Sequence, residues 1–144
     1  QLSFIGDLLK FDVDLQKRMK KAERLTVCQD EKKLDLVIAA SYGGRWDIVQ
    51  AIEKIKGIKE EVEINEELVS SLTSLAPFSD PDLCIRTGGV YRVSNFLLWH
   101  LAYSELYFSE LFWPDFDSNQ FELALDEYSR RQRRFGDQSN FSAT

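Results

Sequence analysis

Apolar positions along the chain fall into short blocks separated by charged stretches. Three blocks are strand-like: Leu2 to Ile5, Leu34 to Ala40, and Leu83 to Arg86. The second, LDLVIAA, is apolar almost throughout, as a parallel strand covered on both faces would be. Helical patterns lie between them. Asp14 to Leu25 reads as a charged surface helix. Trp46, Val49, Ile52 and Ile55 recur at three-residue spacing and predict one face of a second helix. Asn65 is placed to cap a helix with Glu66 and Glu67 in its first turn and with Leu68, Leu72 and Leu75 as a buried stripe. Ser94 opens a long, aromatic-rich apolar segment, read as a buried helix. Phe121, Leu125 and Tyr128 mark a last helix, stopped near Gly136. Strands alternating with helices predict an α/β domain, an open and mostly parallel sheet flanked by helices.

Composition narrows the picture. At 144 residues the chain is one domain at most, with enough length for a core without disulfides. It carries 18 basic and 24 acidic residues, a net charge of -6, which argues against nucleic acid as a partner. Cys28 and Cys84 are far apart and outside any CxxC, so both read as reduced, buried thiols. No apolar run approaches the roughly 20 residues of a membrane span, and no signal peptide is present, so a cytoplasmic location is expected. LSFIGD opens the chain on a core strand without an initiator Met, so the sequence is expected to be the tail of something longer.

Two loops stand out. AASYGGRWDI follows the second strand and IRTGGVYRVSNF the third. Ligands of open α/β sheets gather beyond the carboxyl ends of the strands. Glycines let backbone N–H groups approach an anion, and helix N-termini favour negative charge. Arginines add forked, permanently charged donors suited to phosphate oxygens. A phosphate or diphosphate site is one reading. Structural turns whose arginines pair with Asp82 and Asp47 are the other.

The stretch DLCIRTGGVYRVSNFLLWHLAYSELYFSELFWPDF, preceded by ASYGGRWDIVQA and LSFIGD, resembles the C-terminal part of a cis-prenyltransferase, close to the bacterial undecaprenyl diphosphate synthases. The resemblance spans nearly the whole chain, and the RTGG-R-SNFLLW and ELYF-WPDF blocks are highly specific. It implies condensation of isopentenyl diphosphate with farnesyl diphosphate into a long cis-polyprenyl diphosphate, the precursor of a cell-wall lipid carrier. It implies Mg2+, a homodimer, and peripheral membrane contact. Carried over by position, Arg86, Arg92 and Ser94 would hold the isopentenyl diphosphate. Gly43, Gly44 and Arg45 match the family's glycine-rich turn and arginine. Glu105 matches an acidic residue associated with Mg2+. Arg134 and Gly136 match an element that reaches the neighbouring subunit's diphosphate site.

Two departures matter. Val90 and Tyr91 stand where the family usually has Glu, often followed by His. The family's N-terminal block, with its glycine-rich diphosphate loop and essential aspartate, is absent, so no catalytic residue is expected among these 144 and the chain alone is expected to be inactive. A noncatalytic partner subunit of a cis-prenyltransferase complex is the alternative. Ser94 and Glu105 would share a helical face, but a straight helix would separate them by about 16 Å. Either the helix breaks or Glu105 serves a different part of the site. The single histidine, His100, lies among Leu98, Trp99 and Leu101 and reads as structural.

Overall fold

The computed structural model describes residues 1–27 and 34–131. Cys28, Arg134 and Gly136 lie outside the described residues. The chain divides into two units: Gln1–Ser79 with Asn95–Trp99, and Asp80–Ser94 with the chain from His100. Each contains a parallel strand pair with helices, the α/β arrangement expected.

In the first unit β1 (Leu2–Ile5) pairs in parallel with β2 (Leu36–Ala39), Leu2 opposite Leu36 and Ile5 opposite Ala39. Between them runs α1 (Val13–Leu25), whose Asp12 cap accepts from the Leu15 N–H at 2.8 Å. The end of α1 closes the outer edge of β1. Thr26 Oγ1 accepts from the Leu2 N–H and Glu23 Oε1 from the Phe4 N–H, both at 2.9 Å. Strand donors left unpaired by the ladder are thereby satisfied. Gly6 ends β1 at φ +114°, where a Cβ would sit 2.2 Å from the Ala40 carbonyl oxygen, so only glycine fits.

Helix α2 (Gly44–Lys56) follows β2, and α3 (Glu66–Leu72) follows it, capped by Asn65 as expected, with Oδ1 accepting from the Leu68 N–H at 2.9 Å. The face of α2 is a correction. Val49 and Ile52 of the expected apolar stripe are 51% and 47% exposed, while Gly44, Asp47 and Ala51 are buried. Small residues on that face let neighbouring backbone approach closely.

In the second unit β3 (Leu83–Arg86) pairs in parallel with β4 (Glu105–Phe108), Leu83 opposite Glu105 and Arg86 opposite Phe108. Helix α4 (Ser118–Arg130) packs on β4, capped by Asp117 and burying Ala124. Two expectations fail here. No α-helix follows Ser94: residues 94–103 are turns, with Ser94, Asn95 and Leu97 at φ 48°, 64° and 42°. Left-handed residues cannot propagate a right-handed helix. Glu105 to Phe108, read within the aromatic segment, is instead a strand, consistent with its aromatic content.

Candidate functional site

Arg86 is the last residue of β3, and the loop Thr87–Arg92 leaves from the carboxyl end of the strand pair. Gly88 and Gly89 adopt φ 90° and 65°. Their N–H groups do not point to open space. Gly88 donates to the Leu111 carbonyl at 2.7 Å and Gly89 to the Ser109 carbonyl at 3.0 Å. The glycines therefore shape a turn stitched to the chain beyond β4, and their amides are not the anion donors their sequence suggests. Tyr91 braces the same loop. Its hydroxyl donates to Glu110, and its ring lies 5.3 Å from Phe108. That hydrogen bond, then the Glu110 charge, raises the Tyr91 phenol above the usual range.

The arginines are another matter. Among the described residues, no ion pair or hydrogen bond is recorded for the guanidinium of Arg45, Arg86 or Arg92. Asp47 does not pair with Arg45; its carboxylate is occupied by Tyr42 and Ser74. Arg86 makes itself felt on Cys84: burial pushes the thiol up, and the Arg86 charge opposes the shift. Arg92 and Ser94 are exposed.

The loop after β2 is built differently. Gly43 occupies the cap position of α2 and has no side chain to satisfy the helix. Asn95 does this instead. Its main-chain oxygen accepts from the Gly44 N–H at 2.6 Å, and its Oδ1 accepts from the Arg45 N–H at 2.9 Å. The glycine pair is required by this packing. A Cβ on Gly43 would lie 2.7 Å from Asn95 Nδ2, and one on Gly44 would lie 2.7 Å from the Leu98 nitrogen. A second brace crosses the loop. Asp47, 2% exposed in the first turn of α2, accepts from the Tyr42 hydroxyl at 2.8 Å, the Ser74 N–H at 2.8 Å and the Ser74 hydroxyl at 2.7 Å. Burial, and then Asp47, hold the Tyr42 phenol well above its ordinary range. Asn95 and Asp47 were missed as organisers of the loop, because SN before an apolar run looks like a helix start and Asp47 looks like an arginine partner.

Glu105 sits elsewhere. It is opposite Leu83 at the start of the strand pair, whereas Arg86 is at its end. Three residues of strand separate the two ends by about 10 Å. No helix joins Ser94 to Glu105, and Glu105 stands at the opposite end of the strand pair from Arg86. The Glu105 carboxylate accepts from Arg131 Nη1 at 2.8 Å, and the same nitrogen donates to the Leu106 carbonyl at 2.9 Å. Among the described residues no group of three His, Cys, Asp or Glu side chains could hold a metal. His100 is 3% exposed with Nδ1 2.6 Å from Asp80 Oδ1, in keeping with a structural role.

Parallel strand pairs followed by arginines with no ion-pair partner among the described residues define an α/β protein suited to binding anions. Comparison with known proteins specifies which. Residues 1–136 match the undecaprenyl diphosphate synthase family model, and the chain belongs to that family. It is 48% identical over 149 aligned residues to the farnesyl-diphosphate-specific ditrans,polycis-undecaprenyl-diphosphate synthase of Yersinia pseudotuberculosis, covering 100% of this chain and 58% of the relative. It is 45% identical to the enzyme of the same name from Escherichia coli K12, covering 94% of this chain and 55% of that protein. A probable undecaprenyl diphosphate synthase structure from Campylobacter jejuni superposes with a TM-score of 0.84 at 34% identity, over 95% of this chain and 63% of that one. Lavandulyl diphosphate synthase from Lavandula x intermedia, solved with dimethylallyl diphosphate, gives 0.87 at 37% identity, over 95% and 60%. The chain therefore spans little more than half the length of the curated relatives it matches.

Proposed function

We propose that this chain is the C-terminal portion of a single cis-prenyltransferase domain and supplies its isopentenyl diphosphate side. The observation that carries the reading is the pair of cations at or beyond the carboxyl end of β3, Arg86 and Arg92, that have no ion-pair partner among the described residues, in a chain whose relatives are farnesyl-diphosphate-specific synthases. An unpaired arginine is a ready diphosphate donor, since no internal bond has to be broken first.

In the reaction, the double bond of isopentenyl diphosphate attacks the allylic carbon of farnesyl diphosphate. The new C–C bond forms as the allylic C–O bond breaks, diphosphate departs, and a proton is lost from the acceptor to set the cis double bond. Arg86, Arg92 and the Ser94 hydroxyl would fix the acceptor by its diphosphate, which is catalysis by positioning. Gly43 and Gly44 would serve by shaping the loop that presents Arg45. Arg134 and Gly136 retain the role the resemblance gives them, toward a neighbouring subunit's diphosphate. Mg2+ dependence belongs to the proposal, but a metal role for Glu105 requires its carboxylate to exchange Arg131 for the ion. Homodimer formation has a physical motive in the exposed Phe112 and Trp113, 69% and 76% accessible. A long polyprenyl product gives peripheral membrane contact a motive too; among the described residues no helix is long and apolar enough to cross a membrane.

The test is Arg86→Ala in the full-length enzyme carrying this chain, assayed by incorporation of radiolabelled isopentenyl diphosphate. The KM for isopentenyl diphosphate should rise at least tenfold, the loss of about one charge-assisted hydrogen bond, with that for farnesyl diphosphate nearly unchanged. Equal losses for both substrates would sink the assignment.

A further inference from the structure

Helix α1 is a part of the first unit that the diphosphate reading leaves unused. From Leu9 to Leu25 the chain carries six basic and three acidic residues, in a sequence whose totals are 18 and 24. Two of those acids serve the main chain: Asp12 caps the helix, and Glu23 accepts from the Phe4 N–H of β1. Val13, Lys17, Lys20, Lys21 and Arg24 recur at i, i+4, i+7, i+8 and i+11, which sets them along one stripe. All five are exposed. The face carrying Leu15, Met19 and Ala22 is the sheltered one, with Met19 buried, and α1 packs on β1. Of the four bases only Lys17 has an ion-pair partner among the described residues, Asp14 at 3.6 Å, and that pair is exposed. Both ends of the stripe are apolar. Leu9, in the 3-10 turn Leu8–Lys10, and Val13 stand at one end; Leu25 and Val27 stand at the other. Leu9 and Leu25 are 85% and 74% exposed.

We propose that α1, with the turn before it, is the face by which this protein lies on a bilayer bearing anionic headgroups. Lysine and arginine are almost never fully buried without partners, so the stripe is a surface and not a seam for other parts of the domain. Its bases complement a sheet of negative headgroups, and exposed Leu9, Val13 and Leu25 suit the boundary with the acyl chains. Neither signal holds a protein on a membrane alone, and together they do. Nucleic acid would use the bases and leave the apolar ends in water. The inference deepens the peripheral membrane contact proposed above, and rests on it, by naming the surface and the lipid chemistry.

The test is cosedimentation of the full-length enzyme carrying this chain with vesicles of phosphatidylcholine alone, or of phosphatidylcholine mixed with phosphatidylglycerol. Binding should require the anionic lipid. It should fall steeply as salt is raised from about 0.1 M to about 1 M, which shortens the screening length from about 10 to about 3 Å. Changing Lys17, Lys20, Lys21 and Arg24 together to Gln keeps helix propensity and removes the charge. Binding should then weaken at least about thirtyfold, the worth of two bases in full contact with the surface. Changing Lys17, Lys20 and Lys21 to Arg keeps the charge and should leave binding as it was. Leu9→Ser should weaken binding by a factor that salt does not alter. Incorporation of isopentenyl diphosphate in detergent solution should be the same in every variant; if the glutamine variant fails this check, the salt series and Leu9→Ser decide. Undiminished binding by a folded glutamine variant, or by Leu9→Ser, would leave membrane contact standing and remove it from α1. An unaltered enzyme that sediments with neither kind of vesicle would end the membrane reading itself. Equal affinity for duplex RNA at the same phosphate concentration would overturn the choice of lipid.

Discussion

Replacing Asp47 by alanine removes a buried carboxylate around which three donors are arranged. Its oxygens accept from the Ser74 N–H, the Ser74 hydroxyl and the Tyr42 hydroxyl at 2.7–2.8 Å. Hydrogen bonds to a charged group contribute about 1.5–3 kcal/mol each. The three do not sum, because the part-buried hydroxyls can turn toward water once the acceptor is gone. The carboxylate also lies in the first turn of α2, where negative charge adds about 0.3–1 kcal/mol. The net expectation for Asp47→Ala is a loss of about 3 kcal/mol. Asp47→Asn keeps the shape. Its amide oxygen can retain both Ser74 bonds, and its NH2 turns the Tyr42 hydroxyl from donor into acceptor. Only the charge is lost, at a cost of about 1 kcal/mol. Urea denaturation followed by tryptophan fluorescence reads this out, since the Trp46 ring lies 6.3 Å from that of Tyr42; midpoints compare directly if the slope is unchanged. An alanine variant that loses less than about 1 kcal/mol, or an asparagine variant that loses as much as alanine, would refute the argument.

Two further predictions concern side chains with shifted titration. Burial, then the Asp47 hydrogen bond and charge, raise the Tyr42 phenol above the ordinary value of about 10; because the folded state holds this proton more tightly, that stability is complete below the ordinary value and is lost as pH rises through the raised one. A spectrophotometric alkaline titration should resolve phenols that ionise late, and Tyr42→Phe should remove one of them; an unchanged titration would count against the Tyr42–Asp47 bond. Arg131 is raised chiefly by its bonds to Glu127 and Glu105, and it also satisfies the Leu106 carbonyl. Arg131→Met should lower stability by about 2 kcal/mol, visible as a lower melting temperature, and an unaltered melting temperature would show that the bridge contributes nothing.

What was legible in the sequence is what local pattern controls. β1, β2 and β3 fall where their apolar blocks lie, and Asn65 caps α3 because its side chain reaches an N–H three residues on. The misreadings are all tertiary. The residues after Ser94 carry a helical pattern, yet Asn95 uses its polar groups on α2 and takes a left-handed backbone to do so. Val49 and Ile52 repeat at a helical period, yet the face carrying Gly44, Asp47 and Ala51 is the buried one, with Gly44 against Leu98 and Asp47 bonded to Tyr42 and Ser74. The arginines of the candidate site were legible because charge and position at a strand end suffice to mark them. The braces at the start of α2, Asn95 and Asp47, were not, because a hydrogen bond between residues far apart in sequence leaves no local trace.

The two Gly-Gly turns look alike in sequence but should fail in different ways. At Gly44 the backbone is that of an α-helix, which alanine favours. The obstacle is space: a Cβ would meet the Leu98 nitrogen at 2.7 Å, and backbone cannot swing aside as a flexible side chain can. At Gly88 the space is open, the nearest atom being Phe112 Cδ1 at 3.9 Å, and the obstacle is conformation, φ 90°. Gly44→Ala should therefore displace Asn95–Leu98 and uncap α2, at about 2–3 kcal/mol for overpacking with the lost cap. Gly88→Ala should cost about 1–2 kcal/mol of backbone strain and leave α2 intact. Hydrogen exchange separates the two, because each substitution exposes different amides. Gly44→Ala should unprotect Gly44 and Arg45 while Gly88 and Gly89 stay protected, and Gly88→Ala should do the reverse. If both variants loosened the same amides, the glycines would not be serving the separate roles that packing and φ assign them.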